Sequence, residues 1–384
     1  MKNNLCSHNL KQQPGFGLTG ALLTGAYTLC VCAVTGQGLL AFLICCTLCF
    51  IFSIKNKQSI FAPDAFLSLP LFFTLGNGSP FAAGLAITGG SLVFLAISKL
   101  FKNRTLPRFV VSGAALGLTV GVTILLTNAY FGIGAGSSTP FEMLKEFRSL
   151  GFHPNFRGLF YGTITLFAMI TFPFKFKKLN KYIPGAFVSI LIPFVFNLFL
   201  NPHKELTTIN ESVSLVFAGA PASELQYFFN ISSRDIPLII KGAVGFGVIF
   251  YIFNTEKNGV FIMNCANGAL SGLPVRKHFI RGYGAVAAVI SVIIIAITVF
   301  LFPSTLSRLP LHSAGSMLIV AAWQSVPFAL LKGIFKERRF PEILLMLVCA
   351  VPFVLTDVFT SVLICLAVCA LSAKLPSARK EFTE

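Results

Sequence analysis

The chain has 384 residues, of which 55% are hydrophobic and only 11% charged, and its mean hydropathy is +0.81. A soluble globular domain of ordinary composition cannot bury that much apolar surface. The net charge of +17 does not indicate nucleic acid, because the basic residues stand in short loops between apolar runs, a pattern typical of membrane proteins. We therefore predict an all-α polytopic membrane protein with the lipid bilayer as its surroundings and no nucleic-acid partner.

Apolar runs of membrane-spanning length recur along nearly the whole chain, and the period-2 alternation of an outer-membrane barrel is absent. About 13–14 transmembrane segments are expected. The predicted spans are residues 15–34, 38–54, 59–75, 80–98, 107–127, 157–174, 182–200, 236–253, 259–275, 283–302, 310–331, 341–355 and 357–373.

The distribution of charge predicts which loops face the cytoplasm. Acidic residues concentrate in residues 128–156 and 201–235, which we interpret as external, whereas the remaining loops are basic. With both termini cytoplasmic, this scheme accounts for the first seven spans of a protein of the cell membrane. It fails in the second half, where simple counting would place the basic cluster Arg276–Arg281 outside.

Two interpretations restore the orientation of that cluster. In the first, residues 212–229 form an additional, proline-broken span. In the second, these residues are an external loop, and residues 259–275 enter and leave the membrane on the cytoplasmic side as a re-entrant element. The sequence leaves both open.

Either interpretation divides the chain into two similar halves. An odd number of spans in the first half inverts the second, so a 7+7 inverted repeat with two broken half-helices is expected. The predicted divisions are residues 1–200 for the first repeat, 201–235 for the external loop or extra span, 236–375 for the second repeat and 376–384 for a short cytoplasmic tail.

Each half contains one short, interrupted apolar segment. Ser59–Leu75 follows Gln58 and contains two prolines, and Gly259–Val275 follows Asn258 and contains glycines and a proline. Paired broken helices favour a transport site, because the free N–H groups at a half-helix start attract anions. The predicted substrate-binding residues are Ser59, Phe61, Ala62, Asn258, Gly259, Val260 and Phe261, together with Lys241.

Charged residues near predicted spans have alternative interpretations. Lys241 is either a fixed positive charge on the anion pathway or a lysine that extends to the membrane interface. Asp64 either caps the third segment or carries a coupling proton or cation. Glu224 is a coupling-site candidate only if residues 212–229 cross the membrane, and Asp357 is best explained as a helix cap.

Two stretches, TLPRFVVSGAALGLTVGVTILLT at Thr105–Thr127 and YIPGAFVSILIPFVF at Tyr182–Phe196, contain recognisable motifs. They resemble the fifth and seventh helices of the SulP/SLC26 family of anion transporters. The most specific matches are LPLHSAGSMLIVAAW at Leu309–Trp323 and LTDVFTSVLICLAVCAL at Leu355–Leu371. Residues 38–62 resemble the family's second helix and the entry to its third.

The resemblance implies core and gate domains, with an anion held between the starts of the third and tenth helices. The chain departs from the family pattern at four points. Ala62-Pro63 replaces the usual Gly-Pro, the middle of the second half is shorter by roughly 20 residues than the fold would need, the tenth-helix entry is unrecognisable, and the family's cytoplasmic STAS domain is expected to be absent.

The leading functional hypothesis is secondary active transport of a small inorganic oxyanion, of the sulfate or bicarbonate type, by alternating access. A coupling H⁺ or Na⁺ and a homodimer are further partners that the sequence leaves open. The alternative is proton-coupled transport of a neutral or nucleobase-like solute on the same fold.

Enzymatic function is not expected, and no catalytic residue, cofactor or metal is predicted. A remote alternative is an intramembrane serine hydrolase using Ser271, which lacks a histidine at membrane depth to activate it. Cys46 and Cys49 form a CxxC pair, but no His or acidic ligand stands beside them in the sequence.

Overall fold

The chain folds into an assembly of apolar helices with one short pair of strands. The computed structural model describes residues 3–35, 39–55, 59–75, 80–100, 106–132, 139–151, 154–200, 231–233, 235–253, 260–279, 283–301, 306, 308–336 and 340–372. The expectation of an all-helical polytopic fold is confirmed, apart from the strands, which sequence analysis did not anticipate.

The first half contains one strand among its helices. Its elements are α1 (Asn3–Thr35), α2 (Leu39–Lys55), β1 (Ser59–Pro63), α3 (Ala65–Thr74), α4 (Pro80–Leu100), α5 (Arg108–Leu125), α6 (Thr127–Phe131), α7 (Pro140–Leu150), α8 (Phe156–Lys175), α9 (Lys177–Asn180) and α10 (Gly185–Leu200). The predicted external loop at 128–156 thus contains α7, whose N-cap Thr139 accepts a hydrogen bond from the Glu142 N–H.

The second half repeats the order helix, helix, strand. Its elements are α11 (Asp235–Phe253), α12 (Val260–Ser271), β2 (Val275–Phe279), α13 (Ala285–Leu301), α14 (Leu311–Gln324), α15 (Phe328–Lys336), α16 (Phe340–Ala350), α17 (Pro352–Leu355) and α18 (Val358–Ser372). The predicted extra span at residues 212–229 lies outside the described residues.

Among the described helices, five are long and apolar enough to cross a membrane. Helices α14 and α15 form a sixth such unit, bent by 50°. The bend lies at Pro327, which cannot donate the backbone hydrogen bond that a continuous helix needs. Shorter apolar helices account for further predicted spans, such as Ala285–Leu301.

Helix packing follows a matching pattern in the two halves. The contact of α1 with α13 matches that of α11 with α4, and the contact of α2 with α13 matches that of α12 with α4. Likewise, the contact of α5 with α16 matches that of α14 with α8. Finally, the contact of α1 with α10 matches that of α11 with α18. Among the described residues of the second half, no helix takes the place of α3 in this scheme, since the element that follows β2 is α13.

A row of glycines on α5 permits its close contact with α16 and α17. Gly113 and Gly117 face the backbone of Met346 and Ala350, and a Cβ at either glycine would collide with it. Small residues at four-residue spacing allow this approach in membrane proteins, where van der Waals packing drives helix association.

Gly117→Ala should lower the thermal midpoint of the purified protein in detergent, by an amount equivalent to about 1–3 kcal/mol of overpacking. Gly333→Ala is the matched control, because a Cβ at Gly333 meets no atom within 4 Å. Equal midpoints for the two variants would contradict the proposed tight contact.

Candidate functional site

The two strands meet inside the helix assembly as an antiparallel pair. Ser59 pairs with Phe279, Ala62 with Arg276, and Pro63 with Val275. All of β1 is buried. Beyond the pair, the Asp64 N–H donates to the Pro274 carbonyl at 3.0 Å. The predicted segment Ser59–Leu75 therefore lies against residues 275–279, within the basic cluster that sequence analysis singled out.

Two asparagine side chains on α12 hold β2 in place. The Asn264 amide donates to the Val275 carbonyl at 3.3 Å and accepts from the Val275 N–H at 2.8 Å. The Asn267 amide donates to the Leu273 carbonyl at 2.6 Å. Both asparagines are fully buried. Sequence reasoning missed them, although two amides three residues apart in an apolar helix are costly enough to indicate a role.

The chain reverses direction between α12 and β2. Gly272 has φ 69°, a left-handed conformation that glycine adopts without steric cost. As a result, Leu273 lies beside Asn267 and Val275 lies beside Asn264, so β2 runs back along α12. Whether residues 259–275 form a re-entrant element in the membrane stays a prediction.

Asp64 occupies the start of α3. Its carboxylate accepts from the Phe66 N–H at 3.0 Å, and its carbonyl accepts from the Ser68 hydroxyl at 2.6 Å. The side chain is 8% exposed. The capping role considered from the sequence is thus present, and one of the N–H groups expected to attract an anion already donates to a carboxylate.

Arg276 is the basic residue of the strand pair. Its guanidinium Nη1 donates to the Ser325 hydroxyl, just beyond α14, at 2.8 Å. It also interacts electrostatically with Asp64 and Tyr27. The ring of His278 packs on that of Tyr27 with centroids 5.7 Å apart. We call these five residues, Tyr27, Asp64, Arg276, His278 and Ser325, the strand-pair cluster.

The structure brings some of the predicted binding residues to this cluster. Ser59, Phe61 and Ala62 are buried in β1, and the Phe61 carbonyl accepts from the Thr24 hydroxyl on α1 at 3.0 Å. Val260 and Phe261 begin α12, one turn before Asn264. Asn258, Gly259 and Glu224 lie outside the described residues.

Lys241 lies apart from the cluster. It is exposed on α11 and borders a crevice shared with α3 and the start of α18. A neighbouring crevice contains Asp357, whose carboxylate caps α18 by accepting from the Thr360 N–H at 2.7 Å. The two crevices enclose only about 10 and 20 Å³, which is about the space of a single water molecule.

On the other side of the cluster lies a much larger cavity of about 380 Å³. It extends from Lys181, before α10, along α1 to Tyr27 and to Gln324 at the end of α14. Lys181 lies over the rings of Phe16 and Tyr182 at 5.6 and 5.5 Å. The cavity therefore connects a basic, aromatic entrance with two residues, Tyr27 and Gln324, that belong to or adjoin the strand-pair cluster.

The hydroxyl of Ser271 is engaged in local structure. It donates to the Asn267 carbonyl at 2.8 Å and accepts from the Leu273 N–H at 3.4 Å. His278 packs on Tyr27, and His312 is buried on α14 against Gly132 and Gly158. The hydroxyl proton of Ser271 is thus directed to a backbone acceptor and not to an imidazole base.

Five cysteines cluster in the buried region of α1 and α2. They are Cys30, Cys32, Cys45, Cys46 and Cys49. Within the described part of the chain, no group of three or more His, Cys, Asp or Glu side chains is arranged to hold a metal ion.

Comparison with known proteins identifies the fold. No protein-family model and no curated protein sequence matches the chain. Among solved structures, the transmembrane domain of BicA, a cyanobacterium bicarbonate transporter, matches with a TM-score of 0.63 and 16% identity, over 92% of this chain and 97% of that one.

SLC26A9 also matches, with a TM-score of 0.68 and 11% identity, over 94% of this chain and 65% of that one. The murine Slc26a9 anion transporter in the inward-facing state gives 0.63 and 12%, over 94% and 68%. At these identities the likeness shows the fold alone. The resemblance to the SulP/SLC26 family is confirmed at that level.

Replacing Asn264 by leucine should release β2. The buried Val275 N–H and carbonyl would lose their side-chain partner, which costs about 1–3 kcal/mol for an unsatisfied group. The expected result is a lower thermal midpoint in detergent, measured against Ser149→Ala, which changes an exposed hydroxyl at the end of α7. An unchanged midpoint for Asn264→Leu would show that β2 does not depend on this amide.

Proposed function

We propose that the chain is a secondary active transporter of a small inorganic oxyanion, of the sulfate or bicarbonate type, with its solute site at the strand-pair cluster. The observation that carries the proposal is the position of Arg276, a half-buried guanidinium that interacts with the cavity-lining Tyr27 and donates to Ser325, the neighbour of the cavity-lining Gln324. A charge at that depth is costly unless it has a use in binding or is compensated. The fold neighbours named for bicarbonate and anion transport support the same class of solute.

Alternating access follows from the two unequal openings around the cluster. The cavity on the Lys181 side has room for a solute, whereas the crevices on the Asp357 side do not. The positive-inside distribution favours a cytoplasmic position for the Lys181 side. On this proposal the structure represents an inward-open state of a protein of the cell membrane, with both termini cytoplasmic.

The matched helix contacts support an inverted repeat of residues 1–200 and 236–375. Counterpart strands β1 and β2 run antiparallel, as inversion requires. In this scheme α1 and α11 are counterparts. The helices that line the open cavity are likewise the counterparts of those that line the closed crevices. Exchange of one opening for the other would then give alternating access.

A second candidate is proton-coupled transport of a neutral solute, and Asp64 favours it. This carboxylate is buried beside Arg276, so the pair contributes little net charge when both groups are ionised. Uptake of labelled sulfate or bicarbonate into proteoliposomes, with and without an imposed H⁺ or Na⁺ gradient, separates the candidates. Absence of uptake of either anion would exclude the first proposal.

Arg276→Gln should reduce anion uptake by roughly ten- to a hundred-fold, because a charge-assisted contact worth about 1.5–3 kcal/mol is lost. Lys336→Gln, a charge removal on the exposed end of α15, is the control and should leave uptake within about twofold. Equal uptake by the two variants would remove Arg276 from the site.

A further inference from the structure

The bent helix α15 has an exposed surface that the proposed transport site does not use. α14 and α15 together are long and apolar enough to cross a membrane once, and α15 forms the last part of that span, after the 50° bend. One side of α15 lies on the protein, where it contacts α5 and α16 and buries Leu331 and Ile334. The opposite side faces outwards at the end of the span.

Two phenylalanines extend the apolar face of α15 beyond the part that the protein covers. Phe328 and Phe335 are 55% and 54% exposed. They stand two helical turns apart and therefore share one face, next to the buried stripe of Leu331 and Ile334. Aromatic side chains in this position are typical of helices at a membrane interface, where the rings lie among the acyl chains.

Two lysines form the next strip of the exposed surface. Lys332 and Lys336 are both exposed and lie one turn apart, so their ammonium groups can approach the same anionic group. α15 contains no acidic residue that would neutralise them. Beside them, Ala329 is exposed and a Cβ at Gly333 would meet no atom within 4 Å. The lysines therefore border an open surface with room for a headgroup.

The order of these strips around the helix favours one kind of partner. Buried aliphatic residues are followed by exposed phenylalanines, then by lysines, then by small residues. A free phosphate would use the lysines and leave the phenylalanines in water. A phospholipid uses both, because its acyl chains lie beside the rings and its phosphate lies beside the ammonium groups. An anionic headgroup adds an attraction that a zwitterionic headgroup lacks.

We propose that the exposed face of α15, formed by Phe328, Lys332, Phe335 and Lys336, is a binding surface for an anionic phospholipid of the surrounding bilayer. The phosphate lies at the two lysines, and the acyl chains lie along the two phenylalanines. This inference concerns the lipid contact of α15 and does not depend on the identity of the transported solute.

A tryptophan introduced on this face reports the lipid contact locally. The chain contains one tryptophan, Trp323, whose indole N–H donates to Thr123 on α5. Phe335→Trp therefore adds one exposed indole to a signal that the unmodified chain measures. The variant is reconstituted in phosphatidylcholine vesicles in which a minor fraction of the lipid is brominated, either phosphatidylglycerol or phosphatidylcholine, since bromine quenches indole fluorescence on contact.

We expect brominated phosphatidylglycerol to associate with the introduced indole at least about tenfold more strongly than brominated phosphatidylcholine. The reason is that each lysine near an anionic lipid contributes about fivefold to the association constant. Equal quenching by the two lipids would overturn the proposal, because it would mean ordinary lipid contact without headgroup selection.

Removal of the two lysines tests the role of charge. In the Phe335→Trp background, Lys332→Gln together with Lys336→Gln should bring the two lipids to within about twofold of each other. A preference for phosphatidylglycerol that survives this change would assign it to another basic segment and overturn the proposal.

The matched control removes two positive charges from another exposed helix. Lys145→Gln together with Arg148→Gln changes α7, which also contains Glu142 and Glu146 and therefore has no excess positive charge to attract an anionic lipid. In the same reporter background, the preference for phosphatidylglycerol should be unchanged. An equal loss in both double variants would show a general effect of net charge and not a site on α15.

Two further measurements distinguish the lipid from other occupants. Soluble glycerol 3-phosphate, added in excess and compared with chloride at the same ionic strength, should not reduce the preference, and displacement by it would make α15 a site for a soluble phosphate. Phe328→Trp repeats the test at the other exposed ring, which keeps the proposal testable if Phe335→Trp does not fold. Monodisperse elution on size exclusion establishes folding, and a folded reporter that neither lipid quenches would mean that protein covers this face.

Discussion

Backbone hydrogen bonding of the strand pair is the constraint on which the site depends. A helix satisfies its own N–H and carbonyl groups, but an extended segment among apolar helices must find partners elsewhere. The backbones of β1 and β2 bond to each other. The Asn264 side chain bonds both the N–H and the carbonyl of Val275, and the Thr24 hydroxyl donates to the Phe61 carbonyl. Because these bonds fix the register, they also fix Arg276 opposite Ala62 and beside the start of α3.

The placement of charge in the cluster changes the expected mode of anion recognition. Sequence reasoning assigned recognition to the N–H groups at half-helix starts, where the helix dipole is positive. In the structure, the Asp64 carboxylate occupies the start of α3, and Arg276 provides a compensating positive charge. On the proposed function, side chains, chiefly Arg276 and Tyr27, would hold the solute in place of the backbone N–H groups.

The sequence predicts long apolar helices well and the strands poorly, for a physical reason. The span predicted at 236–253 is observed at Asp235–Phe253, because a charge-poor run of about twenty residues has few alternatives in a membrane. The segment Ser59–Pro63 is too short for its periodicity to distinguish a strand from a broken helix. Its partner, Val275–Phe279, stands more than two hundred residues away, and pairing over such a distance leaves no local signal.

The same limitation explains the predicted binding residues. Asn258 and Gly259 indicated a half-helix start, whereas the residues that position β2 are Asn264 and Asn267, within the helix. What could be predicted was the region, from the break in the charge pattern at Arg276–Arg281. The identity of the contacts required the reversal at Gly272 to be known.

Unequal filling of the two sides has a consequence for the proposed transport cycle. Opening on the Asp357 side requires α3 to separate from α5 and α18, which exposes Phe66, Leu67 and Pro70. Closing on the Lys181 side requires α1 to approach α10 and α14 across the open cavity. The first motion breaks close packing, whereas the second removes an open volume. The two motions therefore differ in energy even if the surrounding helices are matched.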